Sequence, residues 1–229
     1  MPKIQIVIKG ANVLSAPPNR MKPITYELLK ELLHLASNRG DRLMLDAALT
    51  LGFFACLRSG EFCVQDSEAF NPSKHLCVRD ITLNTPERNF SLRIKVSKTD
   101  THSNGVTVNV GCSGTPTCAY CSMRRFLKSR SDASPDDPLF VDPPGNVLRR
   151  AYLVSTIKLL VAMTGRDPTH FSGHSLRAGA ATTGADLGFE NWELQLLGRW
   201  SSDAYMLYIR NPKLLATFAR RLASNNPKR

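Results

Sequence analysis

The chain is short of everything a membrane or secreted protein needs. No apolar run approaches the roughly 18 residues that a membrane span requires. The N-terminus also lacks the charged, apolar and small-residue order of a signal peptide. No internal repeat is visible, which excludes a solenoid or a propeller. Aromatic residues make up only 7% of the 229 positions, and acidic residues are outnumbered by basic ones, 19 to 30. The six cysteines are scattered through a chain too large to need disulfide staples, so reduced thiols in a reducing compartment are expected. A soluble, intracellular chain with no membrane partner follows as the expectation. What is present instead is positive charge: +11 at neutral pH suits a polyanionic partner, with nucleic acid first. Charge alone also fits a basic protein without such a partner, so the argument passes to motifs.

The hydrophobic pattern predicts a mainly α chain with a small antiparallel β-sheet. From Thr25, a candidate N-cap, Leu28, Leu29, Leu32, Leu33 and Leu35 recur at helical spacing until Asn38-Arg39-Gly40 stops them. Asp41 is placed to cap a second helix, and Leu43 through Ala55 is apolar almost all round, as in a buried helix. Alternation predicts strands over 76–83, 90–96 and 106–110. Helices are expected over 117–129, 147–163, 175–187, 192–197, 202–208 and 212–223, with a Pro- and Asp-rich loop over 131–146. Cys118-Ala119-Tyr120-Cys121 has metal-ligand spacing, but only Cys112 and the distant His102 offer themselves as further ligands. Ordinary thiols at a helix start are the reading adopted, with no metal expected.

Two pairs could do chemistry. Arg58 and Glu61 lie three apart, as do His174 and Arg177, so each pair shares a face if its segment is helical. From these residues alone, Glu61 simply neutralising Arg58 is the plainer account, because a charge at the end of a buried helix is costly unless paired. The wider pattern adds to it. Ala55-Cys56-Leu57-Arg58-Ser59-Gly60-Glu61-Phe62, Ser97-Lys98-Thr99-Asp100, the Gly173-His174-Ser175-Leu176-Arg177-Ala178-Gly179 run, and Gly198-Arg199-Trp200-Ser201-Ser202-Asp203-Ala204-Tyr205 leading to Tyr208-Ile209-Arg210 resemble the tyrosine recombinase (phage integrase) family. Their wording is most similar to the recombinases of DIRS-type retrotransposons and Crypton-like transposons. The resemblance covers about residues 24–215.

The resemblance implies a fold, a reaction and a set of roles. The fold is the tyrosine recombinase catalytic domain. The reaction is DNA strand cleavage and rejoining through a covalent 3′-phosphotyrosine, for site-specific recombination or integration of a mobile element. Arg58 and Arg177 take the family's arginine positions, Lys98 its hairpin lysine, His174 its histidine and Tyr208 its nucleophile; Glu61 and Arg199 support them. The residue types fit the chemistry. In-line attack builds negative charge on non-bridging oxygens that planar guanidiniums can clamp, and a tyrosine hydroxyl with an ordinary pKa near 10 needs a base. Side-chain cations surround the phosphate, so no divalent metal and no other cofactor is implied. Double-stranded DNA is the expected partner. A tetramer on DNA, a monomer or weak dimer alone, and a nuclear location follow from the same likeness.

Several positions stay open. The family usually carries His or Trp nine residues before the nucleophile; that place holds Arg199, with Trp200 one later, and Trp200 is preferred for the phosphate contact over its alternative as a packing residue. Tyr205 rivals Tyr208 but comes too early and is read as packing. Lys95 rivals Lys98 and is read as a surface lysine within a strand. Arg124, Arg125, Lys128 and Arg130, with Arg149 and Arg150, make basic stretches; Arg124, Arg125, Lys128, Arg149 and Arg150 are candidate phosphate contacts. Residues 1–23 read as a linker or the remnant of a missing N-terminal DNA-binding domain, 24–215 as the catalytic domain, and 216–229 as a C-terminal tail. The tail, with the segment from 211 onward, is the candidate for exchange between subunits. A domesticated DNA-binding protein without activity and a type IB topoisomerase-like relaxing enzyme are the rival functions.

Overall fold

The computed structural model describes residues 21–96, 105–200 and 202–207. Seven α-helices and one three-stranded sheet make up this part of the chain. Helix α1, Tyr26–Leu35, starts where the Thr25 hydroxyl accepts from the Leu28 N–H at 3.4 Å, and it buries Leu28, Leu29 and Leu32. Helix α2, Arg42–Phe54, is the central rod: every residue from Met44 to Phe53 is buried, as its all-round apolar sequence predicts. Asp41 precedes it without capping it. Its carboxylate is held by Arg39 and by the Tyr152 hydroxyl instead. A single turn of helix, α3, Ser59–Phe62, follows directly.

The sheet is a meander of β1 (Ile81–Asn84), β2 (Asn89–Ile94) and β3 (Val106–Gly111), antiparallel throughout. Its register sets Ile81 opposite Leu92 and Phe90 opposite Val110. Phe90, Leu92 and Ile94 alternate into the core, the period-2 pattern of a sheet wet on one face. Helix α4, Ala119–Lys128, lays Tyr120, Met123 and Phe126 against α2. Helix α5, Arg150–Met163, packs on α1. Helix α6, His174–Asp186, is buried on most sides and runs against α2, and α7, Asn191–Gly198, packs on α6. No helix among the described residues is long and apolar enough to cross a membrane.

Three boundaries differ from the periodicity. The expected strand 76–83 shrinks to β1, because the Asp80 carboxylate accepts from the Cys77 N–H at 2.7 Å and draws Val78–Asp80 into a 3-10 turn. The helix expected from 147 begins at Arg150. Before it, the Val64 N–H donates to the Leu148 carbonyl at 3.0 Å and the Leu148 N–H to the Phe140 carbonyl at 2.9 Å, which ties this stretch to the chain just past α3 and to Phe140. The expected helix 202–208 is a 3-10 turn over Asp203–Leu207 in its described part. The expected helix 212–223, with most of the linker 1–23, lies outside the described residues.

Candidate functional site

The end of α2 and the start of α6 meet at one junction. The chain leaves α2 through Cys56, whose φ of 49° is left-handed, and Arg58 enters α3 in extended conformation. The Glu61 carboxylate reaches back to accept the Arg58 backbone N–H at 2.8 Å and its guanidinium at 3.1 Å. Helix α6 comes in close because Gly173 precedes it. A Cβ on Gly173 would stand 2.7 Å from the Ser59 side chain, so any larger residue would push the two helix starts apart.

Arg177 then points inward from α6. Only 1% exposed, it donates to the Cys56 carbonyl through Nη1 and to the Gly198 carbonyl through Nη2. Its guanidinium carbon lies 4.4 Å from the centre of the Trp200 ring, a cation–π stack. Trp200 folds over Gly198 so tightly that a Cβ there would come within 1.9 Å of the indole. Its other neighbour is Tyr205, ring centroids 6.2 Å apart.

Arg199 completes the cluster. It ends α7 in left-handed conformation, φ 56°, which turns its side chain away from Trp200 and back to α2 and α3. There Nη2 meets the Glu61 carboxylate at 2.9 Å and Nη1 meets the Ala55 carbonyl at 3.0 Å. Such a conformation costs a non-glycine residue about 1 kcal/mol or more, so packing around Cys56 and Arg199 must hold it. Among the described residues the Glu61 carboxylate is thus bonded by Arg58 and Arg199, and Arg177 lies within electrostatic reach of all three. Burial lowers the Arg177 pKa below the ordinary arginine value, and the cations of Arg58 and Arg199 push it the same way. Burial likewise raises the Cys56 thiol to about 11, which keeps it neutral at physiological pH. Arg199 Nε is buried with no hydrogen-bond partner among the described residues.

His174 is the first residue of α6 and is exposed beside the junction, whereas Arg177, one turn on, is buried. Tyr205 is fully buried with Ala185 and Leu194, and its hydroxyl has no partner among the described residues. Lys98 and Tyr208 lie outside the described residues.

These observations can be set beside known structures. No protein-family profile and no curated protein matches the sequence. Solved structures do. The XerH site-specific recombinase, in a post-cleavage complex with palindromic difH substrate, aligns with 91% of this chain and 55% of its own at a TM-score of 0.64 and 17% identity. The chain has a tyrosine recombinase fold. XerA recombinase, 18% identical, gives a TM-score of 0.63 over 92% of this chain and 68% of its own. The Tn1549 transposon integrase, bound to transposon right-end DNA, gives 0.61 at 17% identity, again over 92% and 68%. The chain therefore spans only about half the length of the XerH protein it matches. Within this fold α2, α3, α6 and α7 are the elements that bring Arg58, Arg177 and Arg199 together.

Other expected residues fall elsewhere. Lys95 is no surface lysine within a strand: it sits just past β2, half-buried, with Nζ 2.5 Å from the Asp80 carboxylate and bonded to the Pro72 and His75 carbonyls. Arg149, expected on phosphate, instead turns inward and donates to the carbonyls of Gln65, Asp66 and Glu68, since the chain before α5 must close that loop. Arg130 likewise holds the Pro138 and Leu139 carbonyls. Arg124, Arg125 and Lys128 are exposed on α4, and Arg150 is half-buried. Sequence reasoning had no sight of the Ala55, Cys56 and Gly198 carbonyls, which anchor the arginines. Backbone acceptors carry no residue signature.

Proposed function

We propose that the chain breaks and rejoins double-stranded DNA through a covalent 3′-phosphotyrosine, as a site-specific recombinase or integrase. The observation that carries this reading is the convergence of Arg58, Arg177 and Arg199 where α2, α3, α6 and α7 meet. Tyr208 is the nucleophile: its oxygen bonds to phosphorus while the bond to the 5′ oxygen breaks. Lys98 protonates that leaving oxygen, and His174 takes the tyrosine proton or donates to the phosphate. Rejoining reverses these steps with another 5′ hydroxyl, so no outside energy source is required. Arg199, whose guanidinium stands in the cluster, is favoured over Trp200 for the remaining phosphate contact. Trp200 stacks on Arg177 and fixes its plane. The likeness of wording to mobile-element recombinases supports a transposable-element context and a nuclear site of action.

Self-association belongs to the same reading. Leu187, Trp192 and Leu196 on and before α7 are 73%, 64% and 72% exposed, with Phe189 between them. Beside them lies an open, mostly apolar groove of about 670 Å³ lined by Tyr26, Phe53, Phe54 and Leu197. The C-terminal tail 216–229 of a neighbouring copy is the proposed occupant, with residues 1–23 as a linker from a further DNA-binding domain.

A nicked DNA substrate that loses its 5′ end on cleavage tests the function. The wild-type chain should trap as a covalent adduct, and Tyr208→Phe should form none. An adduct that survives Tyr208→Phe would overturn the nucleophile, and no adduct on any substrate would favour binding without chemistry. Plasmid relaxation without strand exchange would point to a topoisomerase-like activity.

A further inference from the structure

Away from the arginine cluster, three sulfurs meet at the edge where the sheet joins α4. Cys112 directly follows β3, Cys118 stands at the N-cap of α4, and Cys121 lies in its first turn. The Sγ atoms of all three fall within 4.8 Å of one another, and they form the only such group of His, Cys, Asp and Glu among the described residues. Cys112 Sγ lies 3.6 Å from Cys118 Sγ and 3.9 Å from Cys121 Sγ. Tetrahedral zinc bonded to sulfur at about 2.3 Å sets its ligand sulfurs about 3.8 Å apart, so the observed edges are those of a zinc–thiolate site before any movement.

The surroundings suit thiolates. The Cys121 backbone N–H points at Cys118 Sγ at 3.5 Å, the placement that the first turn of a helix gives a sulfur at its N-cap. Arg88, in the turn between β1 and β2, brings Nη2 to 3.1 Å from Cys112 Sγ. A divalent cation set among the three sulfurs would bond all of them at once.

We propose that Cys112, Cys118 and Cys121 form a structural binding site for a thiophilic divalent metal, zinc above all, which ties the end of β3 to the start of α4. Binding displaces the thiol protons to solvent. Three thiolates and one Zn²⁺ carry a net charge of −1, which the Arg88 guanidinium offsets from the second layer. The fourth position falls to solvent; Cys112 and Cys121 are half-buried, which leaves a side open for it. Helix α4 packs on α2, and α2 ends at Cys56 and Arg58. The metal would therefore hold the sheet to the helix that presents the arginine cluster, without touching DNA.

The test is elemental analysis of the full chain, purified reduced and incubated with Zn²⁺, alongside alkylation of its six cysteines mapped by peptide mass. One zinc per chain is expected, with Cys112, Cys118 and Cys121 protected and the other three reacting at rates that zinc does not change. Cys118→Ser with Cys121→Ser should lose the metal, Cys77→Ser should keep it, and Arg88→Ala should weaken it by roughly tenfold. Should the double variant fail to fold, the protection pattern of the wild-type chain decides alone. Absence of stoichiometric zinc, protection of other cysteines, or a disulfide joining two of the three in the chain as isolated would each overturn the proposal.

Discussion

Two clusters of buried charge in this molecule contrast. The Glu61 carboxylate bonds the guanidiniums of Arg58 and Arg199, with that of Arg177 within electrostatic reach. Around Asp80 stands one ammonium, that of Lys95, with the remaining bonds of both groups satisfied by the Cys77 N–H and two carbonyls. The second cluster is neutral and complete, so its work is to hold the loop before β1 against the end of β2. The first sets like charges side by side, since the Arg177 guanidinium feels both Arg58 and Arg199.

Substitutions can break that contrast. Arg58→Ala should have the largest effect: a fall of about 10²–10³-fold in adduct formation, the usual loss when one donor to a developing oxyanion is removed. Its urea midpoint should stay near wild type, because the Glu61 carboxylate keeps the Arg199 guanidinium as a partner. A collapse of stability instead would make the cluster structural. Asp80→Ala should do the reverse, costing about 3 kcal/mol in urea unfolding by leaving Lys95 buried and unpaired, while the adduct yield per folded molecule holds. Glu61→Gln falls between them. About 2 kcal/mol of stability should go with the lost partner of Arg58 and Arg199, and DNA binding should become more salt-sensitive as the surplus charge grows.

A smaller effect is set by pH. Burial alone would raise the Asp41 carboxyl, but the Arg39 guanidinium and then the Tyr152 hydroxyl outweigh it, so its folded pKa lies below the unfolded value. The folded state thus binds that proton less tightly. Its contribution is complete above about pH 4 and fades as pH falls through the folded pKa, so Asp41→Asn should flatten the acid limb of a stability–pH curve. Smallest of all is the surface pair of Arg166 and Glu31, 2.6 Å apart: Glu31→Gln should leave the urea midpoint unchanged.

Much of the framework was legible in the residues. The leucine spacing of α1, the all-round apolar α2 and the alternation through Phe90, Leu92 and Ile94 each follow from a period that burial imposes. The motifs around Arg58 and His174 pointed to one junction from segments more than a hundred positions apart. What failed was local. Asp80 bent an expected strand into a turn, and Lys95 and Arg149 turned inward, because long charged side chains go where buried acceptors are, and those acceptors come from other segments.

The sequence by itself determined the positive charge and the helical framework with its small sheet, since these rest on composition and short-range periodicity. Only the tertiary structure decided that Arg199 joins Arg58 at Glu61 while Trp200 stacks on Arg177, and that Cys112 meets Cys118 and Cys121. The reason is physical. Those partnerships depend on a left-handed turn at the end of α7, on the close approach that Gly173 permits, and on the register of β3, and each is settled by packing between segments far apart in the chain.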